Sequence, residues 1–576
     1  MRLINSKIVL AVEDSFNRRV QPDPSAEILV ELFGPQLSET RYAILSHCWG
    51  VSDAGEREVL FKEMKKLTMI NEAKRNEIRD RTGYKKILDT CTQAKEDGLD
   101  WVWIDTCCIN KESSSELSEA INSMYQWYAN STICYAYLHD VDDSFPVDCD
   151  NIKYRVFNGW PKWFSRGWTL QELVAPVSLC FFNKKWEDIG NKQQLASILS
   201  EITRIPTSIL KDGLSSTSRP SVAQIISWAA DRITTREEDR AYALLGLLGV
   251  HMPMLYGEGK NAFRRLQLEI IRRSNDQSIF AWGWRRTSGW TSSFLADDPS
   301  HFRDCDSVVK MDRGDFIQAL RGDVLEDKLL HPPLEQLRMF TVTNDGIQIW
   351  LPVKPFPSFP QLFLAKLACC SSKGLHPITI ILVCFELSYY RYFGDFKPPS
   401  HVKMQFKQLL LSYEDGIYPA SFQLHLDSRL LLGRWTIQHM AQMHLNSFNL
   451  TNTSDYANVT FKPAIGSEGT SFTIAFSYRH GQLSVHVIWD HQDAQVTTLG
   501  TPFDGTGLWL SPHSDATCLV KHVHFPQLTK GIRITCSQNR WSKTTCAVTI
   551  SVIECSGCCT STWHRCDVSV CVSRHS

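Results

Sequence analysis

Short apolar runs that stop abruptly at polar groups recur through the first third of this chain. Residues 43–45 (Ala-Ile-Leu) are followed by Ser46 and His47, and residues 101–104 (Trp-Val-Trp-Ile) by Asp105. Runs this brief, continuous rather than alternating and bounded by polar residues, predict strands buried on both faces. Between them, Ile87, Leu88, Cys91 and Ala94 recur at helical spacing and predict a helix over residues 85–96. The charged stretch 52–81 before it reads as an insertion. Ser113 and Glu116 have capping-box spacing, and Leu117, Ile121, Met124 and Tyr128 continue as one apolar stripe, predicting a helix that ends near Ala129. Further strands are predicted over 133–138 and 177–182, with a helix starting inside RGWTLQEL at 166–173. This alternation predicts an α/β layer, a parallel sheet with covering helices. Side chains just beyond the carboxyl ends of such strands lie on the rim where ligands of open α/β sheets collect. His47, Trp49 and Asp105 are therefore the first candidates for chemistry.

The pattern then changes. Over residues 191–284, Val222, Ile225, Ile226 and Ala229 share one helix face, Thr235 and Glu238 have the spacing of a second capping box, and Phe263, Leu266, Ile270 and Ile271 mark another amphipathic helix. This reads as a helical extension, or cap, packed on an α/β domain at 1–190. The polar, turn-rich RRTSGWTSS at 285–293 begins a linker placed at 285–300. From Phe340 onward strand signals dominate, including a turn at Asn344-Asp345-Gly346 and another at His480-Gly481, so residues 301–545 read as a β-rich domain. The tail, 546–576, crowds Cys546, Cys555, Cys558, Cys559, Cys566 and Cys571 with His564. Cys555 and Cys558 have metal-ligand spacing, but no regular second pair follows and few large apolar residues surround them, so an atypical tail without metal is expected.

Composition narrows the class. A chain of 576 residues with 43% hydrophobic and 11% aromatic content is folded protein with room for several cores. Sixty-one basic residues against 62 acidic ones leave no overall field to recruit nucleic acid or an anionic membrane. No stretch reaches the roughly 18 to 20 apolar residues that span a bilayer. The amino-terminal apolar run stops at Glu13 and Asp14 without a cleavage pattern, so no secretory leader is expected. Cys91, Cys107, Cys108, Cys134 and Cys180 fall inside predicted apolar elements, which fits free thiols in a reducing cytoplasm. Gly257-Glu258-Gly259 follows no strand and lacks the third glycine of a dinucleotide fingerprint, and GxxxxGK[ST] is absent.

YAILSHCWG from Tyr42, DWVWIDTCCINK from Asp100 and RGWTLQEL from Arg166 are followed by SVAQIISWAA, REEDRAYALLGLLGV, MPMLYGEGKNAFRRLQLEII and DQSIFAW. In this order they resemble the heterokaryon-incompatibility (HET) domain of filamentous fungi over roughly residues 1–284. The resemblance implies a nonself-recognition module that triggers cell death in fused cells and works through protein partners of an incompatibility system, self-association included. Asn110 departs from the aspartate frequent in that family, so a carboxylate there is not essential if this chain is active. RGWTLQEL and YAILSH are also similar to the tryptophan-to-glutamate helix and first strand of TIR domains, on a flavodoxin-like parallel sheet. That second resemblance implies an NAD glycohydrolase with NAD as substrate, no cofactor of its own, and Glu172 as the essential carboxylate.

The chemistry is coherent, because a carboxylate beside the ribose stabilises an oxocarbenium-like transition state. Asp105 and His47 are the other catalytic candidates, His47 as a general base. Trp49 and Trp168 would wall a nicotinamide or adenine ring, with Arg166 beside the ligand. Competing readings are structural. Glu172 could pair with Arg166 or Arg41, Asp105 could cap a loop, and the domain could be a non-enzymatic adaptor. Cys107 and Cys108 near His47 offer a thiol arrangement, weakened by the vicinal pair packing into the sheet rim.

Overall fold

The computed structural model describes residues 1–413 apart from 24, 51–56, 156–157, 215–218, 285–287, 291–292, 326–328, 330–338, 357–358, 373, 375, 386–387 and 395–401, and beyond residue 413 the backbone of the strands. The chain divides into two units, one of residues 1–283, 295–319 and 368–378, the other of 284–294, 320–367 and 379–576.

The first unit is built on a seven-stranded mixed sheet. Its strands are β1 (Arg2–Asn5), β2 (Leu29–Glu31), β3 (Tyr42–His47), β4 (Trp101–Trp103), β5 (Ile133–Tyr137), β6 (Leu179–Phe182) and β7 (Asp188–Asn191), in the order β2-β1-β4-β3-β5-β6-β7. The four central strands run parallel, with Ala43 opposite both Val102 and Ile133. β1 followed by β2 on one side, and β7 on the other, extend the sheet antiparallel. All six residues of β3 are buried, as its unbroken apolar run requires for a strand with neighbours on both sides. The chain leaves β3 for β4 on one side and later returns to β5 on the other. The order therefore reverses at β3, and the carboxyl ends beside such a reversal form a crevice.

The helices that matter for the site are α1 (Ser6–Asn17), α2 (Thr82–Glu96), α3 (Ser114–Ala129), α4 (Thr169–Val174), α5 (Val222–Ser227) and α6 (Asn261–Arg273). Several local readings need correction. Within the stretch read as an insertion, Phe61–Lys65 and Glu72–Arg79 are helical, and Val59, Met64, Leu67 and Ile78 are buried. At α3, Ser113 accepts the Glu116 amide at 3.3 Å, but the Glu116 carboxylate turns away to Arg2 and the Asn110 amide. The second expected capping box does not form. Glu238 instead accepts the amides of Gly257 and Gly259 at 2.7 and 3.1 Å, and both glycines sit at positive φ in the turn before α6. The reciprocal cap lies elsewhere, between Ser221 and Gln224 at the start of α5.

In the second unit, Thr341–Val342 and Ile347–Phe356 form the expected hairpin, with Thr343 donating to the Gly346 carbonyl at 2.9 Å. Gln405–Leu411 pairs antiparallel along Ile347–Phe356. Further along, Phe472–Arg479 and Gln482–Trp489 pair with Arg479 opposite Gln482, which brackets the predicted turn. The carboxyl region is thus β-rich. Cys546 lies in the strand Thr545–Glu554, whereas Cys555, Cys558, Cys559, His564, Cys566 and Cys571 lie outside the described residues. Within the stretch read as a linker, Phe294, Leu295 and Ala296 are buried. No helix among the described residues is long and apolar enough to cross a membrane.

Candidate functional site

A cavity of about 540 Å³ opens in the first unit beyond the carboxyl end of β3. His47, Trp49, Asp105, Arg166, Trp168 and Glu172 all line it, although they come from three segments spread over 126 residues. β3 ends at His47 and carries Trp49 just past its tip. β4 runs directly into a single helical turn, Asp105–Cys108, whose first residue is Asp105. The 3-10 turn Lys162–Ser165 leads through Arg166 to α4, which places Glu172 one turn in.

The entry to α4 is held from another segment. Arg232, fully buried, donates to the Arg166 carbonyl at 2.9 Å, to Thr169 Oγ1 at 3.0 Å and to the Trp228 carbonyl at 3.3 Å. Gly167 donates to the Ile233 carbonyl at 3.0 Å. A Cβ on Gly167 would meet Thr234 Cγ2 at 2.5 Å, so only glycine allows this approach.

Glu172 is 8% exposed. Its Oε2 accepts a hydrogen bond from Ser46, whose Oγ in turn accepts the Trp163 indole N–H at 2.8 Å. Burial pushes its carboxyl up to about 8 against the opposing pull of the Ser46 bond, and the Asp105 charge raises it further. Among the described residues it makes no ion pair with an arginine, so the pairing with Arg166 or Arg41 weighed from the sequence is absent. The arrangement is a buried carboxylic acid, neutral at pH 7 and poised to ionise just above it.

Asp105 Oδ2 accepts the Trp49 indole N–H at 2.8 Å, and Lys111 Nζ lies 3.2 Å from the centre of the Trp49 ring. The Lys111 ammonium is buried without a hydrogen-bond partner among the described residues, and burial pulls its pKa down. His47 is buried, with Nε2 making no hydrogen bond among the described residues and lying 3.8 Å from Glu58 Oε2. Burial, aided by the Lys86 cation, holds its pKa well below the usual histidine range. Glu58 contacts Lys86 directly and accepts the Gly50 amide at 3.0 Å. The imidazole is therefore neutral at pH 7, able to hydrogen-bond but a weak proton acceptor.

The thiol arrangement does not survive. Cys107 and Cys108 are buried and line no part of this cavity. The bond its thiol donates toward Cys108, with burial, lifts the Cys107 thiol well above its ordinary value, which disfavours the thiolate.

One wall of the cavity was not evident from the sequence. Arg236, Asp239 and Tyr256, from the stretch read as a packed extension, line the same cavity. Tyr256 donates to Asp239 at 3.0 Å, and the Arg236 guanidinium lies 4.2 Å over the Tyr256 ring. Burial pushes the Asp239 carboxyl up. Leu117, Ile121, Met124 and Tyr128, read only as a buried stripe of α3, form its apolar floor. The cluster of charges at 236–240 was the available signal, obscured by its resemblance to a helix cap.

The family described as Heterokaryon incompatibility protein (HET) matches residues 42–156, which include β3, β4, α3 and β5. A domain of unknown function (DUF8212) matches residues 261–288. The vegetative incompatibility protein HET-E-1 of Podospora anserina is 41% identical over 255 residues, 44% of this chain and 18% of that protein. The chain thus spans about a fifth of the length of the curated relative it matches. No solved structure matches it.

Proposed function

We propose that this chain, which carries a heterokaryon-incompatibility domain, is an effector of fungal nonself recognition whose first unit hydrolyses NAD and so provokes cell death. The observation that carries this reading is the convergence of Glu172, Asp105, Trp49 and Trp168 on one cavity, with Glu172 buried and, among the described residues, in no salt bridge with an arginine. The order of the four parallel strands, second-first-third-fourth along the chain, supports a flavodoxin-like and TIR-like relationship.

In this mechanism the glycosidic C–N bond of NAD breaks with its electron pair passing to the nicotinamide nitrogen, which neutralises that ring. The ionised Glu172 stabilises the oxocarbenium-like ribose. Approach of the cationic nicotinamide to the buried carboxyl lowers its pKa and favours this form. Water adds to the ribosyl carbon, and Asp105 takes up its proton before releasing it to solvent. The products are nicotinamide, ADP-ribose and a proton. His47, held neutral, positions groups rather than accepting the proton. Self-association and protein partners would control access, in the cytoplasm that the free buried thiols suit.

The test is NAD consumption by the purified full-length chain, free and clustered, beside Glu172→Gln. Loss of NAD with wild type, abolished by the substitution, supports the reading. If clustered wild type leaves NAD untouched while Glu172→Gln still kills cells on expression, the domain is an adaptor.

A further inference from the structure

Lys111, Lys162, Arg166 and Arg236 all face the cavity, and among the described residues none of them pairs with a carboxylate. Elsewhere in the same unit pairing is common: Arg79 with Glu13, Arg81 with Glu63 and Glu77, Arg240 with Asp298, Arg265 with Glu258. Two of these cations are instead held by aromatic faces. Lys111 rests on Trp49, and Arg236 rests on Tyr256 with its guanidinium exposed to solvent. The Lys111 ammonium is buried with no acceptor among the described residues, a costly state unless an anion completes it. Of the acids in the cavity, Asp105 is engaged by Trp49, Asp239 by Tyr256 and Glu172 by Ser46. Four cations therefore face the cavity against carboxyl groups that already have partners, with two indoles in its walls. Such a surface complements a ligand that joins a compact, multiply charged anion to a flat ring.

We propose that Lys111, Arg166 and Arg236 form an anion subsite that takes the diphosphate of a nucleotide whose ring packs against the cavity indoles. This rests on the reading of the cavity as the ligand site but not on hydrolysis. It gives the segment around Arg236 a direct binding role, so the site is completed from outside residues 42–156.

Calorimetric titration of full-length Glu172→Gln protein with ADP-ribose, adenosine and pyrophosphate tests it. Arg236→Gln and Lys111→Met are each added to that background, with Arg236→Lys as the conservative control. Arg236 is exposed, so its replacement leaves the core intact, and thermal melts check this for each variant. ADP-ribose is expected to bind best, to weaken about tenfold or more with each lost charge, and to weaken as salt is raised, while adenosine is unaffected. Arg236→Lys should lose an intermediate amount, since it keeps the charge without the planar fork. Equal ADP-ribose affinity in all variants overturns the subsite, as does adenosine binding as tightly as ADP-ribose. Pyrophosphate binding as tightly as ADP-ribose overturns the nucleotide assignment. ADP-ribose binding without NAD consumption by wild type would sink hydrolysis alone, whereas NAD turnover at unchanged KM in Arg236→Gln would sink the subsite alone.

Discussion

Ser46 and Glu172, 126 residues apart, share a buried hydrogen bond at the point where β3 meets α4, and the Trp163 indole completes the chain of donors behind it. The serine hydroxyl is thus oriented by Trp163 to donate to the carboxylate. It is the protein's main counterweight to the desolvation of Glu172.

Ser46→Ala removes that counterweight, so the Glu172 carboxyl should ionise at still higher pH. If the chain hydrolyses NAD as proposed, wild-type kcat/KM should rise with pH and level off above about 8, reporting this carboxyl in the unliganded protein. In the variant the rise should move alkaline by on the order of one unit, since a hydrogen bond to a charged group contributes roughly 1.5–3 kcal/mol. An unchanged pH profile would show that Glu172 is not the titrating group.

Stability should carry the same signature. The folded-state pKa of Glu172, about 8, lies above its ordinary value of 4.5, so the group's contribution is fully present below 4.5 and is lost as pH rises through about 8. Wild type should therefore lose stability relative to Glu172→Gln between pH 5 and 8, at up to about 1.4 kcal/mol per unit. Urea melts at several pH values check this, and parallel curves for the two proteins would refute it.

Gly167→Ala forces a methyl group against Thr234 Cγ2 and should destabilise by roughly 1–3 kcal/mol, the usual cost of overpacking. Thr234→Ser removes that methyl. The double variant should recover most of the loss, a coupling that a double-mutant cycle reads directly.

Arg232→Met leaves the Arg166 and Trp228 carbonyls without their buried donor and should cost roughly 2–4 kcal/mol. Because these bonds set the start of α4, NAD turnover per folded molecule should fall as well. Retained kcat in the folded fraction would show that Arg232 serves stability alone.

Much of the first unit was legible along the chain because burial on both faces of a strand leaves a continuous apolar run. β3 and β4 announce themselves this way, and the 3.6-residue spacing of Ile121, Met124 and Tyr128 does the same for α3. β1 and β2 were not legible: strands of four and three residues carry too few positions to show a period. The two short helices within residues 57–81 were not legible, because their buried Met64, Leu67 and Ile78 are diluted by surface charges.

The candidate side chains divide in the same manner. Strand ends pick out His47, Trp49 and Asp105 from sequence, because where a buried run stops is local information. What each group is was decided only by tertiary contact. Glu172 finds a serine rather than an arginine, His47 is stripped of water and kept neutral, and Arg236 and Tyr256 arrive from a distant segment to close the wall. Hydrophobic periodicity is imposed residue by residue and can be read residue by residue. Charge state and partnership depend on desolvation and on distances between remote segments, which exist only once the chain has folded.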